Sequence, residues 1–219
     1  MRLDSIGEVR MDYLIGKLIM LPGMIIGLTV HEYAHAKVAC QMGDPTAERQ
    51  GRVSLNPLAH IDWIGFLCLI VAGFGWGKPV PVNSNYFQGR HRKLKQVAVS
   101  AAGVISNFIL ATLAAVLMVF LIQKLPQFSG GILYQMLYGC ILINVALMVF
   151  NLIPLPPLDG FTIVAELTGF DETPMYFKLL QYGSLLLLLL VFTNVISYFL
   201  TPGVDAVIHV INMIIGLIF

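Results

Sequence analysis

Three residues near the start of the sequence, His31, Glu32 and His35, combine the side chains and the spacing that zinc chemistry requires. They stand together in the stretch HEYAH. Residues four apart lie on one face of a helix, one turn from each other, so the two imidazoles can reach the same point, as zinc ligands must. Glu32 lies about 100° round the helix, where it can act on a water at the metal without binding the metal. The pattern predicts a zinc site with Glu32 as general base.

The setting of this motif makes a chance match a poor explanation. HEYAH continues directly from residues 13–30, which are almost entirely apolar. An ionisable side chain at membrane depth costs about 2.5–3.5 kcal/mol on insertion scales, and here three must be accommodated together. At about 1.5 Å per residue, His31 lies about 16 Å from a helix end near Met42, too far for simple snorkelling to the surface.

A third zinc ligand is expected, and Asp159 in NLIPLPPLDG (151–160) is the candidate. Three prolines in this stretch must end the preceding helix near Asn151. Broken backbone at membrane depth is tolerated where it is buried in protein or lines a watery cavity, which gives an aspartate a reason to be there. The alternative is an Asx turn in a surface loop. The other acidic and histidine candidates fit solvated loops, a helix end or core packing better: Asp44, Glu48, Asp62, His91, Glu166, Asp171, Glu172, Asp205 and His209.

Two asparagines are candidates for contacts with a substrate or an oxyanion. Asn107 ends the stretch AAGVISN (101–107), whose small residues, Gly103 among them, favour close packing between helices. A buried amide needs hydrogen-bond partners, which distinguishes Asn107 from these neighbours. Asn151 stands at the helix break. We expect these two amides to hold substrate backbone or a developing negative charge.

The composition of the whole chain is that of an integral membrane protein. Of 219 residues, 58% are hydrophobic and only 11% are charged, whereas soluble domains carry about 25% charged residues. We find no linker, low-complexity tract or internal repeat, so the sequence predicts a single integral membrane domain over residues 1–219. The formal net charge of +1 excludes a large basic surface for nucleic acid. No removable signal peptide is expected at the N-terminus.

Helices that cross a membrane need about 20 apolar residues, which lets the candidates be counted. The stretch 61–76 is too short to span comfortably and rich in glycine, so it is expected to be re-entrant or interfacial. The predicted fold class is an all-α polytopic bundle of about five to six transmembrane helices. The predicted spanning helices are 13–42, 96–123, 132–153, 178–200 and 203–219.

Two segments of the loop region are not helical in pattern. Residues 51–56, GRVSLN, alternate polar and apolar side chains, and residues 78–83, KPVPVN, contain two prolines that exclude a helix but suit an edge strand. Together they predict a small β-ribbon at the membrane surface.

The distribution of lysine and arginine predicts the orientation in the membrane. The densest basic run, GRHRKLK (89–95), places the region 43–95 in the cytoplasm. The motif HEYAH and the stretch after residue 153 then lie toward the cytoplasmic side. Arg2, Arg10 and Lys17 conflict with this scheme, because they fall on the outer side.

The quoted motifs, with GRVSLNPLAHID and GFGWGKPVPVN, resemble the site-2 protease family of intramembrane zinc metalloproteases, especially its short prokaryotic members. The resemblance covers about residues 13–165, and Val104 departs from it because many relatives have proline there. It implies one zinc ion per chain, held by His31, His35 and Asp159, with Glu32 as catalytic base. It also implies that the substrates are single-span transmembrane proteins cleaved within the lipid bilayer.

Two other functions remain open at this point. A membrane metal-ion transporter would also carry histidine and aspartate within a bundle, although the chain shows no paired repeats and this function gives Glu32 no task. A catalytically inactive binding protein would not need the intact motifs. If the chain is a protease, an unwound substrate segment could add to the ribbon as a strand. Assembly into a homo-oligomer is compatible with each function.

Overall fold

The computed structural model describes residues 3–72, 75–87, 89 and 91–219. These residues form α-helices joined by loops and four short 3-10 turns, at 57–59, 84–86, 126–128 and 170–172. The helices are α1 (Leu3–Gln41), α2 (Thr46–Arg49), α3 (Trp63–Ala72), α4 (Arg92–Lys124), α5 (Ile132–Asn151), α6 (Asp159–Thr168), α7 (Pro174–Phe192) and α8 (Ile196–Ile218).

Five of these helices are long and apolar enough to cross a membrane: residues Ile15–Gln41 of α1, and the whole of α4, α5, α7 and α8. This confirms the predicted all-helical class and a bundle with five candidate spans. Helix α3 has ten residues and is therefore about 15 Å long, half of the roughly 30 Å thickness of the hydrocarbon core. As far as it is described, α3 is thus too short to cross; residues 73–74 of the stretch 61–76 lie outside the described residues, and a re-entrant or interfacial position for the stretch stays a prediction.

The bundle is organised around α1, α4 and α5, whose backbones approach closely at small residues. A Cβ atom on Gly23 of α1 would lie 2.6 Å from the Cα of Cys140 in α5, and one on Gly27 would lie 3.1 Å from Cγ of Asn144. Small residues allow such approaches between membrane helices. The shared core of α4, α5 and α8 contains Ala111, Ala114, Ala115, Cys140, Ile141, Val145 and Ile211.

The predicted β-ribbon does not form. Residues 51–56 and 78–83 contain no strand, and the described residues include only an isolated antiparallel bridge between Ile61 and Gly77. Pro79 and Pro81 each lack an N–H group. The backbone groups that remain in 78–83 bond mainly to side chains, as shown below for Val80.

The boundary between the last two helices is also different from the predicted one. The sequence placed a break at 201–202, before Gly203, but the chain breaks at residues 193–195, where Asn194 has a φ of 59°. Asparagine is one of the few residues that adopt this left-handed conformation readily. Pro202 lies inside α8. As a result Asp205 is in the middle of a helix, and not at its beginning.

Candidate metal centre

Helix α1 brings the two histidines of HEYAH to one buried point. His31 and His35 are only 5% and 9% exposed, and their Nε2 atoms lie 2.9 Å apart. The i, i+4 spacing produces this convergence because one helical turn separates the two side chains.

Asp159 completes the group from another helix. It is the first residue of α6, and its Oδ2 lies 3.4 Å from Nε2 of His31 and 3.2 Å from Nε2 of His35. A Cβ on the following residue, Gly160, would collide with the backbone of Leu152. Glycine therefore lets α6 begin directly against the end of α5. The three predicted metal ligands form a group that could hold a metal ion.

The other nitrogen of each imidazole has an acceptor at hydrogen-bond distance. Nδ1 of His31 lies 2.7 Å from Oδ1 of Asn107, and Nδ1 of His35 lies 2.7 Å from the carbonyl oxygen of Val99. Both partners are oxygen acceptors, so each Nδ1 carries the proton and donates it. In its neutral form, each imidazole then presents a lone pair on Nε2, which is the form that metal ligation requires.

These features fit a bound cation. The two Nε2 lone pairs and one carboxylate oxygen point at one site, and Oδ2 of Asp159 is buried with no hydrogen-bond donor in the described part of the chain. Two imidazoles and a carboxylate form a ligand set of the kind found in catalytic zinc sites, in which a fourth position stays open. The residues present can therefore hold zinc.

Gly103 of α4 closes one side of the metal centre. A Cβ atom at this position would lie 2.6 Å from Cε1 of His31 and 2.6 Å from Cε1 of His35. The sequence suggested only ordinary helix packing for Gly103. The structure shows that its missing side chain provides the space for both imidazoles.

We expect Gly103→Ala to weaken zinc binding by about 1–3 kcal/mol, the usual cost of overpacking, because both imidazoles must move. Zinc retention against a chelator measures the effect. Gly16→Ala is the matched control, since a Cβ there has no neighbour within 4 Å. Equal zinc retention by the two variants would show that the imidazoles tolerate the methyl group.

Asn107 is the centre of a buried amide network. It is 0% exposed, and its Nδ2 donates to the carbonyl of Gly27 at 3.1 Å and to Oδ1 of Asn144 at 2.8 Å. Asn144, also 0% exposed, donates in turn to the carbonyl of Cys140 at 2.8 Å. Because both amide hydrogens and Oδ1 of Asn107 are used, this geometry favours a role in orienting His31 over the predicted substrate contact.

Asn144 was not among the candidates predicted from the sequence, although a signal was present. It lies seven residues before Asn151, two turns along the same apolar helix, and so on the same face. An amide in such a setting needs partners.

We expect Asn107→Leu to lower zinc affinity by about 10–100-fold, the usual effect of removing a partner that orients a ligand. Ser106→Ala is the matched control, because among the described residues the Ser106 hydroxyl bonds only to the Gly103 carbonyl of its own helix. The measurement is competition for zinc with a chelator of known affinity. Unchanged affinity in Asn107→Leu would mean that the amide does not position His31.

Glu32 lies beside the metal group but is held by a loop. Its Oε2 accepts a hydrogen bond of 2.9 Å from the backbone N–H of Val80. No described group donates to its Oε1. The side chain is thus oriented at one oxygen, while the other remains available for a proton.

Two buried ionisable residues hold this loop in place. Oδ2 of Asp44 accepts from the N–H of Asn83 at 2.6 Å, and the Arg52 guanidinium donates to the carbonyls of Lys78 and Pro79. Burial lowers the pKa of Arg52, while the negative charge of Glu32 acts in the opposite direction. The contacts of Asp44 and Arg52 therefore fix the loop 78–83 in the position from which Val80 bonds to Glu32. The alternating pattern that predicted a β-ribbon does not predict these side-chain contacts.

A cavity of about 540 Å³ opens beside the metal group, between α1, the loop at 75–79, the end of α5 and α7. Asn151 lines it, and its Nδ2 donates to the carbonyl of Leu147 at 3.0 Å. Asn107 is not among the lining residues. The cavity wall is mainly apolar: it includes Leu28, Trp76, Phe150, Leu158, Leu187 and Leu188 beside His31 and Glu32.

Four other candidate carboxylates have partners away from the metal group in the described structure. Asp171 and Glu172 both pair with Lys93, at 3.0 and 2.7 Å, which ties the turn after α6 to the beginning of α4. Asp44 serves the loop, and Asp62 accepts from the N–H groups of Ile64 and Gly65 at the start of α3. Asp159 is thus the one carboxylate that the described structure groups with His31 and His35.

Comparison with curated proteins finds relatives of this chain. The chain is 41% identical, over 187 residues and 84% of each chain, to a Bacillus subtilis protein named "Putative zinc metalloprotease YwhC". The chain belongs to the site-2 protease family. Two mycobacterial family members named Rip2 are more distant: the Mycolicibacterium smegmatis protein is 26% identical over 82% of this chain and 69% of its own. The Mycobacterium tuberculosis H37Rv protein is 27% identical over 66% of this chain and 55% of its own.

No protein-family model and no solved structure matched the chain. The family membership predicted from the motifs is confirmed by the curated relatives. The names of these family members also agree with zinc as the metal. With five candidate spans, this site-2 protease family member is a multi-pass membrane protein.

Proposed function

We propose that this protein is an intramembrane zinc metalloendopeptidase that hydrolyses peptide bonds of single-span membrane proteins. The observation that carries the proposal is the convergence of His31, His35 and Asp159 beside Glu32, at the wall of an apolar cavity in a membrane bundle. The names of the curated relatives support protease activity. The Lys/Arg distribution supports an active site toward the cytoplasm.

One zinc ion per chain would be held by the Nε2 atoms of His31 and His35 and by the Asp159 carboxylate. When bound, zinc supplies a Lewis acid that polarises the scissile carbonyl and acidifies water. The hydrogen bonds from each Nδ1 keep the two imidazoles in the ligating tautomer.

Glu32 acts as the general base and then as the general acid. Its carboxylate takes a proton from the attacking water as oxygen bonds to the carbonyl carbon, and later delivers that proton to the amine nitrogen as the C–N bond breaks. The hydrogen bond from Val80 fixes Oε2, so Oε1 is the oxygen available for this transfer.

The apolar cavity receives the substrate segment. A substrate helix must unwind locally before attack, because its carbonyls are engaged in its own hydrogen bonds. Leu28, Phe150 and Leu187 line a cavity that suits the apolar side chains of such a segment. Asn151 remains the candidate for contacting the oxyanion, whereas Asn107 is assigned to positioning His31.

Reconstitution of the full chain into vesicles tests the proposal. We expect zinc-loaded wild type to cleave members of a panel of single-span substrates within or at the edge of the apolar segment, with products mapped by mass spectrometry. Zinc entry into the vesicles is measured in parallel with a lumenal indicator. Zinc entry without cleavage would favour the transporter, and zinc binding with neither activity would favour the inactive binding protein.

A further inference from the structure

Helix α8 carries a polar stripe on the outside of the bundle, formed by Thr201, Asp205, His209 and Asn212. All four residues are exposed. Their spacing of four, four and three residues places them along one face. They flank the apolar face with which α8 packs on the core of α4 and α5, through Val204, Val207, Ile208, Ile211 and Ile215. The sequence suggested packing for His209 and a helix end for Asp205, and the structure shows neither.

Asp205 and His209 lie near the middle of a candidate membrane span. Asp205 is nine residues from Ile196, and His209 is nine residues from Ile218, so each lies about 14 Å from its end of α8. A side chain as short as aspartate cannot reach the surface from that depth. Within the described part of the chain, neither side chain has a hydrogen-bond or ion-pair partner.

Exposure of Asp205 and His209 to lipid would carry a large free-energy cost. An aspartate at the centre of a membrane helix costs about 2.5–3.5 kcal/mol on insertion scales, and such residues almost always face protein or water. Polar side chains of this kind associate membrane helices by hydrogen bonding across the interface. A protein partner that covers the stripe would remove this cost.

We propose that the stripe of Thr201, Asp205, His209 and Asn212 is the interface through which two copies of this chain associate in the membrane. The stripe is self-complementary, because it holds one carboxylate acceptor and one imidazole donor a single turn apart. Two-fold symmetry then repeats every contact: Asp205 of each copy accepts a hydrogen bond from His209 of the other. Helical side chains point toward the N-terminus, which brings the His209 imidazole back toward the level of Asp205.

The placement of the stripe favours a second copy over a docking substrate. No residue of α8 belongs to the metal group or lines the cavity beside it. Association through α8 consequently leaves the cavity of each copy accessible. This inference is independent of the proposed proteolytic function.

Photobleaching step counts on the fluorescently labelled full chain in vesicles test the interface. We expect wild type to show two copies per spot, and Asp205→His and His209→Asp each to raise the dissociation constant about tenfold or more, since each variant loses both reciprocal bonds. Mixing the two variants should restore pairs, because one copy then offers two imidazoles and the other two carboxylates. Val210→Ala, an exposed position beside the stripe, is the control that should pair as wild type does.

Each variant is also checked for retained zinc, which reports folding without involving α8. Single copies of wild type at every protein-to-lipid ratio would overturn the proposal. It would equally be overturned if a zinc-retaining Asp205→His or His209→Asp variant paired as wild type does, or if the mixture of the two did not pair.

Discussion

Replacement of Glu32 by glutamine is expected to lower the rate of peptide-bond cleavage by about 10²–10⁴-fold while zinc binding is retained. Glutamine has nearly the same shape, and its carbonyl oxygen can still accept the hydrogen bond from Val80 that now holds Oε2. It cannot take a proton from water. Because Glu32 is not in the three-residue metal group, the loss should fall on catalysis and spare the metal.

The measurement pairs the cleavage rate of a reconstituted single-span substrate with the zinc content of the same sample. Glu48→Gln is the matched control: it makes the same exchange at an exposed position in α2 and should leave both values unchanged. A Glu32→Gln protein that cleaves at the wild-type rate would exclude Glu32 as the base. Loss of zinc from that variant would instead indicate that Glu32 helps to hold the metal.

Replacement of Asp159 by alanine should remove the third ligand and lower zinc affinity by more than about 100-fold, beyond the range typical of losing a partner that only orients a ligand. The carboxylate oxygen now lies 3.4 and 3.2 Å from the two Nε2 atoms and receives no hydrogen bond from the described residues. Its loss leaves two imidazoles, too few for a catalytic zinc site. Cleavage should be lost together with the metal.

Equilibrium competition between the reconstituted protein and a chelator measures this affinity. Asp171→Ala is the control, because it removes a nearby carboxylate that pairs with Lys93 and not with the histidines. Wild-type zinc affinity in Asp159→Ala would remove Asp159 from the ligand set. A comparable loss in Asp171→Ala would indicate a general disturbance after α6, and not the removal of a ligand.

Several features could be predicted because they depend on residues close together in the chain. The i, i+4 geometry of His31 and His35 follows from helical pitch alone. Long apolar runs predict membrane spans, and the prolines after Asn151 predict the break that ends α5 at that residue. The predicted ends of the helices agreed less well with the structure. The boundary before α8 was wrong: Pro202, which lies between the two predicted helices, is inside α8, and the chain breaks at residues 193–195 instead.

Contacts between distant parts of the chain could not be predicted from local sequence patterns. Pairing residues 51–56 with 78–83 as a ribbon was wrong, since Arg52 and Asp44 satisfy the loop backbone with side chains. The residues that orient His31, Asn107 and Asn144, come from two other helices. The small residues around Gly103 predicted close helix packing. The neighbouring sequence did not indicate that the two histidines would pack against Gly103.

The sequence by itself determined the membrane setting, the long helices, and the convergence of two of the three residues of the metal group, because hydrophobic periodicity and helical pitch operate within a single segment. Only the tertiary structure decided that Asp159 faces the two Nε2 atoms, that Val80 holds Glu32, and that the stripe on α8 is exposed. These three features depend on how separate helices and loops pack against each other, which a pattern within one segment does not specify. The zinc ligands were therefore predictable as residue types, while their arrangement required the fold.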